Sequence, residues 1–207
     1  MTSSWDKYAG DAAQWSDTAY ADAAKYLARR ADLIRTLGPR LQPEDVVLDL
    51  ACGDGGLADF LVGLRYRGVD ASPEMVAAAE ARGRNVVQAD LNEYEPDARV
   101  QATTIFRAIY YARDRRALLE RIAGYTEKKL VFDLNPRQYP VADVRADLLA
   151  AGFDRLLLRP FFVPQTVAPN AVTAWSLRRA EQTGAVARLV LRTRFTYMCS
   201  AFRADAR

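Results

Sequence analysis

The sequence predicts one α/β domain in which a mostly parallel sheet carries helices on both of its faces. Short apolar runs alternate with segments whose apolar residues recur every three or four positions, which is typical of parallel strands joined by helices. The chain has 207 residues, of which 50% are hydrophobic and 27% are charged. This length and composition fit a single globular domain with a sizeable core.

The predicted elements follow one another in a regular order. Residues 5–37 are predicted to be helical, and Gly38-Pro39 ends this segment. Five strands are predicted at 45–50, 66–71, 86–89, 129–134 and 156–163, and the ranges 100–111 and 189–202 are each predicted to hold one more. Helices are predicted at 57–64, 72–83, 114–123, 141–151 and 171–181. Ligands of such sheets bind beyond the carboxyl ends of the strands, so polar residues at those ends are candidate site residues.

Several function classes are excluded by what the chain lacks. It contains no histidine, which excludes a Ser-His-Asp triad, a histidine general base and histidine-based metal sites. Its two cysteines, Cys52 and Cys199, form neither a disulfide framework nor a zinc site, so we expect a cytoplasmic location and no metal. No apolar run approaches the roughly 20 residues that span a bilayer, and the N-terminus has no signal-peptide pattern.

The charge is unevenly distributed along the chain. The formal net charge is +3, yet residues 151–207 carry nine arginines against three acidic residues, a net of +6. The first 150 residues therefore sum to −3. A basic C-terminal part is compatible with a solvated surface or with an anionic substrate or surface that meets it.

A glycine-rich run, Val46-Val-Leu-Asp-Leu-Ala-Cys-Gly-Asp-Gly-Gly56, covers the first predicted strand and the turn after it. Gly53 and Gly55 permit a tight turn and a close approach of the backbone to a ligand. Asp49 lies on the strand before that turn, where its carboxylate can accept hydrogen bonds from loop amides or face a cationic ligand. A glycine-rich loop alone is weak evidence, but Asp70 and Asp90 end the next two predicted strands, so three carboxylates gather around adjacent strand tips.

The run resembles motif I of the class I S-adenosylmethionine-dependent methyltransferases, and the resemblance extends over roughly residues 40–160. It implies a Rossmann-like sheet of seven strands with the last strand antiparallel, an N-terminal helical lid, and S-adenosyl-L-methionine as the cofactor. By this resemblance, the carboxylate of Asp70 accepts hydrogen bonds from the ribose hydroxyls of the cofactor. Asp90 and Leu91 then lie beside the adenine. The cofactor-binding residues that the resemblance implies are Asp49, Ala51, Gly53, Gly55, Asp70, Ala71, Met75, Asp90, Leu91 and Arg107, with Tyr8 and Trp15 of the lid.

The run from Arg107 to Tyr111 resembles the family's fourth strand and the loop after it, which faces both cofactor and substrate. Many relatives carry a histidine in this loop, whereas here Tyr110 and Tyr111 occupy the region. They are the candidate catalytic residues, although packing alone could also account for them. Methyl transfer is an in-line displacement that depends on alignment in a water-poor pocket, so we expect positioning to dominate without a histidine base.

The terminal parts of the chain are expected to select the acceptor. We expect residues 1–40 to form the lid, 41–160 the cofactor-binding core, and 161–207 a substrate-side insertion with the last strand. The acceptor is expected to be a small anionic or aromatic metabolite methylated on O, N or C, and a homodimer is compatible with the sequence. The candidate acceptor-side aromatics and arginines, which could equally serve core packing, are Phe161, Phe162, Trp175, Arg159 and Arg178.

Three alternatives remain open at this point. The run Gly53–Ala58 also satisfies a dinucleotide fingerprint, and Tyr125 and Lys129 have the spacing of short-chain dehydrogenases. Asp49 inside the strand and the long preceding helical segment argue against that nicotinamide-dependent oxidoreductase. A non-catalytic S-adenosylmethionine-binding module is the second alternative, since no side chain is an obvious base. A nucleic-acid methyltransferase is a minor one because the arginine excess is scattered, so no nucleic-acid partner is expected.

Overall fold

The computed structural model describes residues 12–13, 15–191 and 195–206. The strands are β1 (Val46–Leu50), β2 (Arg65–Asp70), β3 (Val86–Gln88), β4 (Val100–Ile105), β5 (Thr126–Leu134), β6 (Arg155–Phe161) and β7 (Thr196–Phe202). The α-helices are α1 (Trp15–Ala19), α2 (Ala23–Thr36), α3 (Pro73–Ala81), α4 (Arg115–Tyr125), α5 (Val141–Ala150), α6 (Ala171–Ala180) and α7 (Gly184–Val190).

One seven-stranded sheet has the order β3-β2-β1-β4-β5-β7-β6. The first five strands pair in parallel, and β7 runs antiparallel between β5 and β6. The predicted Rossmann-like α/β fold with an antiparallel last strand is thereby confirmed. Strand order reverses at β1, whose neighbours are β2 on one side and β4 on the other. The carboxyl ends of these strands therefore border the crevice in which doubly wound sheets bind ligands.

The core lies on both faces of this sheet. Alternate residues of β1 point to opposite faces, so Leu48 and Leu50 pack in one apolar cluster and Val47 packs in the other. The first cluster includes the apolar side of α4, and the second includes that of α2. Two-sided burial explains why β1 reads as a continuous apolar run interrupted only by Asp49.

Side-chain caps fix where several helices begin. Ser72 Oγ accepts a hydrogen bond from Met75 N at 3.3 Å, with Pro73 at the first position of α3. Asp114 accepts from Ala117 N at 3.1 Å and begins α4. Both starts agree with the sequence prediction, since a short polar side chain satisfies one of the free amides of the first turn.

The structure corrects two predicted elements and narrows two others. Residues 57–64 were predicted to be helical, but a short 3-10 helix covers only Gly56–Phe60. The range 189–202 holds a strand as predicted, which begins at Thr196 after α7. The range 100–111 also holds its predicted strand, which ends at Ile105 before a 3-10 helix at Ile109–Tyr111. The predicted helix at 5–37 is interrupted between α1 and α2, and its residues 5–11 lie outside the described part.

A buried lysine joins β5 to the end of α2. Lys129 is 0% exposed, and its Nζ donates to the carbonyl oxygens of Leu37 at 2.9 Å and Arg35 at 3.4 Å. A cationic donor suits the carbonyls that a helix C-terminus leaves unpaired. Burial, with a smaller contribution from the neighbouring charge of Lys128, lowers the pKa of Lys129 to about 7.

Candidate functional site

A cleft opens at the carboxyl ends of β1, β2 and β4, and the glycine-rich loop forms its floor. Asp49, Ala51 and Gly53 line it from the β1 side. The backbone of Ala51 has φ 57°, and that of Gly53 has φ 60°, so two of the first three residues after the strand have a left-handed conformation. Such a conformation is routine for glycine and uncommon for alanine. The loop therefore presents backbone rather than side chains to the cleft.

Asp70, at the end of β2, ties this loop to the start of α3. Its Oδ2 accepts a hydrogen bond from Gly53 N at 2.8 Å, and its Oδ1 accepts from Ser72 N at 3.0 Å. Burial raises the pKa of Asp70, while these backbone donors act in the opposite direction. Each carboxylate oxygen keeps a further lone pair, so the side chain can still accept hydrogen bonds from a ligand in the cleft.

Asp49 is a second buried carboxylate in the cleft. Its Oδ1 accepts from Thr104 Oγ1 at 2.6 Å, and its Oδ2 accepts from the Tyr66 hydroxyl at 3.1 Å. Burial raises the pKa of Asp49 to about 6, because removal from water disfavours the charged form. A cationic group bound beside Asp49 would stabilise the ionised carboxylate, and the carboxylate would in turn strengthen the binding of that cation.

The third side of the cleft is apolar. Ala71, Met75 and Leu91 all line it, as the sequence predicted. Asp90 is not among the lining residues. Its Oδ1 accepts from Asn92 N at 2.8 Å, and its Oδ2 accepts from Arg113 at 2.6 Å, so this carboxylate holds a turn next to the cleft.

Gly55 likewise does not line the cleft. It has φ 68°, and a Cβ placed on it would lie 3.1 Å from Arg84 Cγ. Glycine is therefore required at position 55 by backbone conformation and by the packing of Arg84, whereas Gly53 faces the cleft.

The first described helix, α1, borders the cleft through Trp15 and Ser16. Trp15 lies so close to Gly53 that a Cβ on this glycine would be 2.9 Å from Trp15 Cδ1. Ser16 fastens the helix, because its N–H donates to Asp54 Oδ2 at 3.1 Å and its hydroxyl donates to Oδ1. Asp54 is in turn paired with Arg82 at 2.7 Å. Tyr8, the other predicted lid residue, lies outside the described residues.

The lid leaves little space below it. The cavity measures ≈ 120 Å³, whereas cavities for drug-sized ligands typically run to about 300–1,000 Å³. A nucleoside-sized ligand therefore requires Trp15 to move away from Gly53.

Arg30 of α2 was not anticipated from the sequence. It lines the cleft although it is only 3% exposed, and it donates to the Tyr26 hydroxyl at 3.1 Å and to Asp133 Oδ2 at 3.0 Å. Its guanidinium lies 4.3 Å from the centre of the Phe106 ring. The pKa of Arg30 is raised by the surrounding acidic groups, so the side chain stays charged.

A second, larger cavity of ≈ 740 Å³ adjoins the cleft. Arg107 and Tyr110 line both spaces, so they stand at the junction. Tyr111 lines only the cleft, and its ring centre lies 4.4 Å from that of Tyr110. The structure thus places Tyr110 at the junction of the two cavities and Tyr111 beside it in the cleft.

The backbone of Arg107 is also left-handed, with φ 54°. Its N–H donates to Asp133 Oδ1 at 2.7 Å, which holds this conformation in place. With the Gln165 amide oriented so that its oxygen faces the guanidinium, this oxygen accepts from Arg107 at 3.0 and 3.2 Å. Asp133, like Arg30, is missing from the sequence prediction, although an acidic residue inside an apolar strand is the same signal that identified Asp49.

The acceptor-side residues predicted from the sequence separate in space. Phe161 lines the second cavity, but Phe162 packs in a separate cluster with Ala187 and Leu191. Trp175 is 61% exposed and lies 5.4 Å from the Arg179 guanidinium. Arg178 lines a different groove together with Phe162, and Arg159 is exposed on β6. Within the described residues, the aromatic walls of the second cavity are Tyr26, Tyr110, Tyr139, Phe161 and Phe195.

Three further features bear on the alternative functions. Within the ranges 12–13, 15–191 and 195–206, no group of three acidic or cysteine side chains is placed to hold a metal ion. No helix in the same ranges is long and apolar enough to cross a membrane. Tyr125 ends α4 and Lys129 lies in β5, so they do not share a helix face as the dehydrogenase pair would.

Comparison with known proteins places the glycine-rich loop within a described family. Residues 47–129 match the family model of a methyltransferase domain. Trans-aconitate 2-methyltransferase of Mycobacterium tuberculosis is 34% identical over 79 residues, which cover 36% of this chain and 30% of that relative. The matched segment thus spans less than a third of the relative's length.

Solved structures share the fold at low identity. A chain from the complex between the Haloferax volcanii Trm112 methyltransferase activator and the putative methyltransferase has a TM-score of 0.65 and 21% identity, with 98% of each chain covered. The magnesium protoporphyrin IX methyltransferase from Synechocystis PCC 6803 with bound SAM has a TM-score of 0.54 and 16% identity, over 93% of this chain and 79% of that chain.

Proposed function

We propose that this chain is a class I S-adenosylmethionine-dependent methyltransferase that methylates a small anionic or aromatic metabolite, and its fold and the match of residues 47–129 to a methyltransferase domain support the first part. The observation that carries this proposal is the pair of adjoining cavities. The cleft over the glycine-rich loop suits the cofactor, and the aromatic-walled second cavity suits the acceptor. Arg107 and Tyr110 mark the place where the two molecules would meet.

The residues of the cleft fit the cofactor in charge and shape. When bound, S-adenosylmethionine supplies an electrophilic methyl group on a cationic sulfonium. Asp70 has acceptor capacity left for ribose hydroxyls, and Asp49 offers a negative charge to the cationic methionyl part. Met75 and Leu91 offer an apolar surface to the adenine. Trp15 would close over the bound molecule after moving aside to admit it.

The second cavity supports a small anionic or aromatic acceptor. Five aromatic side chains form walls for a ring, and Arg107 and Arg137 line the same space. The matched relative in M. tuberculosis is named for trans-aconitate, an anionic acceptor. Such an acceptor would fit the positive charge of this cavity.

Alignment accounts for the catalysis without a histidine base. Asp133 holds the Arg107 backbone, and the loop with Tyr110 follows directly, so the junction is rigidly built. A lid that excludes water would strengthen the electrostatic interactions inside the junction. Holding two reactants in one geometry removes much of the entropic barrier to an in-line displacement.

Binding and transfer assays test this function. S-adenosylhomocysteine should raise the melting temperature and bind in calorimetry, because a ligand of the native state stabilises it by mass action. Protein with a tritiated methyl donor should then label small acceptors. Binding of NAD in place of S-adenosylhomocysteine would contradict the proposal. Tight binding with no transfer to any acceptor would favour a non-catalytic module.

The Asp70→Ala variant should bind S-adenosylhomocysteine roughly 10–150-fold more weakly, which corresponds to about 1.5–3 kcal/mol for hydrogen bonds to a charged acceptor. The carboxylate both lines the cleft and holds Gly53 N at 2.8 Å, so its loss removes a ligand contact and a loop support together. Calorimetry measures the change. Asp97→Ala is the matched control, since that carboxylate is 85% exposed. Equal affinities in the two variants would place the ligand elsewhere.

Tyr110→Phe and Tyr111→Phe should each lower turnover by less than about tenfold, because general acid–base catalysis typically contributes a hundredfold or more. Both variants keep the ring and remove the hydroxyl, so they separate packing from proton transfer. Turnover with saturating methyl donor is the measurement. A thousandfold loss in either variant, with cofactor affinity intact, would identify that tyrosine as the base.

A further inference from the structure

We infer that the acceptor is a carboxylic acid, that its carboxylate binds Arg107, and that this carboxylate is itself the methylated group. The inference rests on the proposed function and goes beyond it by naming the reacting group. It depends on three features of Arg107: its place at the junction, its uncompensated charge and its constrained backbone.

Arg107 is the only arginine or lysine that lines both cavities within the described part of the chain. An anion bound to its guanidinium therefore lies beside the methyl-donor cleft, rather than at the far end of the acceptor. Arg137 lines the second cavity but not the cleft, so an anionic group that bound there would lie farther from the methyl donor. The charged group nearest the junction is thus the one that the methyl group would reach.

The charge of Arg107 has no protein counterion among the described residues. Asp133, which is the only acidic residue among the described residues that line the second cavity, pairs at 3.0 Å with the buried Arg30 and bonds the backbone N–H of Arg107. The guanidinium itself meets the neutral Gln165 amide and lies 5.8 Å from the Tyr20 ring centre. A half-buried cation in this setting favours an anionic ligand, and a planar guanidinium matches a carboxylate with two parallel hydrogen bonds.

The backbone of Arg107 has a strained conformation, which fixes where its side chain starts. A non-glycine residue with φ 54° is in a sparsely populated region, and Asp133 holds it there through a 2.7 Å hydrogen bond. Strain of this kind persists where the surrounding structure fixes it, often at functional sites. Asp133 is therefore a positioning residue, since both of its oxygens are already engaged.

A carboxylate acceptor also fits the absence of a base. One lone pair of the carboxylate oxygen forms the new C–O bond while the S–CH3 bond breaks, and the bonding electron pair stays on sulfur. The anionic carboxylate becomes a neutral ester, the cationic donor becomes a neutral thioether, and no proton moves. Because opposite charges are cancelled, a site from which water is excluded favours the step.

Calorimetry on protein saturated with S-adenosylhomocysteine tests recognition. Benzoate and trans-aconitate should bind, and benzoate should bind at least about tenfold more tightly than benzamide, as expected for charge-assisted hydrogen bonds. Arg107→Gln should reduce this preference to less than about threefold, measured at an S-adenosylhomocysteine concentration shown to saturate the variant. Arg145→Ala, an exposed arginine of α5, is the matched control and should retain the preference.

Product chemistry tests which atom is methylated. Label from a tritiated methyl donor should appear on carboxylic acids and should be released as volatile methanol by mild alkali. Alkali-stable label on a phenol or an amine would overturn the inference and leave the methyltransferase function standing. So would equal binding of benzamide and benzoate, absence of carboxylate binding at millimolar concentration, or an Arg107→Gln variant that loses S-adenosylhomocysteine instead. Failure of S-adenosylhomocysteine to bind the unaltered protein would overturn the proposed function itself.

Discussion

Gly53→Val is expected to abolish measurable binding of S-adenosylhomocysteine, a loss of more than about a hundredfold or nearly 3 kcal/mol. Two effects add at this position. The backbone has φ 60°, which a β-branched residue adopts only with strain of about 1–3 kcal/mol. The new side chain would also enter the cleft, since its Cβ alone would lie 2.9 Å from Trp15 Cδ1. Calorimetry with S-adenosylhomocysteine measures the loss.

Gly63→Val is the matched control for this variant. Gly63 has φ 81°, so valine introduces comparable strain, but no atom lies within 4 Å of its added Cβ. Thermal denaturation should show similar destabilisation in the two variants, whereas only Gly53→Val should lose the ligand. If Gly53→Val bound S-adenosylhomocysteine normally, the loop would not form the floor of the cofactor site.

Raising the pH from 7 to 9 should increase the contribution of Lys129 to the free energy of unfolding by about 2 kcal/mol. Burial lowers the pKa of Lys129 from 10.5 to about 7 in the folded protein. Between these two values the unfolded chain binds more protons than the native one, so stability rises with pH. Below the folded pKa both states are protonated, and this dependence on pH disappears. Denaturant titrations across the range measure the slope.

Lys129→Met should remove this increment, whereas Lys128→Met, whose lysine is paired with Asp45 at 2.8 Å, should keep it. The comparison is made between pH values of one variant, so a constant loss of stability in either variant does not affect it. The series stops at pH 9 because burial raises the pKa values of Cys52 and Cys199, whose ionisation in the unfolded chain acts in the opposite direction at higher pH. A slope unchanged by Lys129→Met would contradict the assignment.

Much of the fold could be predicted because local signals agree with tertiary packing. The pair Ser72-Pro73 was sufficient to predict the start of α3, and the apolar run was sufficient to predict β1. Helix α7 was not predicted because Val186 and Leu189 are exposed, so their spacing carries no information about a buried face. A short apolar stretch without a capping hydrogen bond reads equally well as strand or helix.

The cofactor side of the candidate site was easier to predict than the acceptor side. Asp49, Gly53 and Asp70 lie at strand ends, where sequence position determines location in the sheet. The junction instead depends on contacts between residues more than a hundred positions apart, such as Arg30 with Asp133. No spacing rule reveals that pairing, and the exposure of Trp175 likewise depends on how α6 packs.

The segment between α1 and α2 bonds the loop after β6, since Ala21 N donates to the Gln165 carbonyl oxygen at 2.8 Å. This loop forms part of the second cavity, and its Gln165 side chain meets Arg107. Under the proposed function, a movement of Trp15 that admits the cofactor would also disturb this wall of the second cavity. We therefore expect compulsory order in steady-state kinetics, with the methyl donor binding before the acceptor.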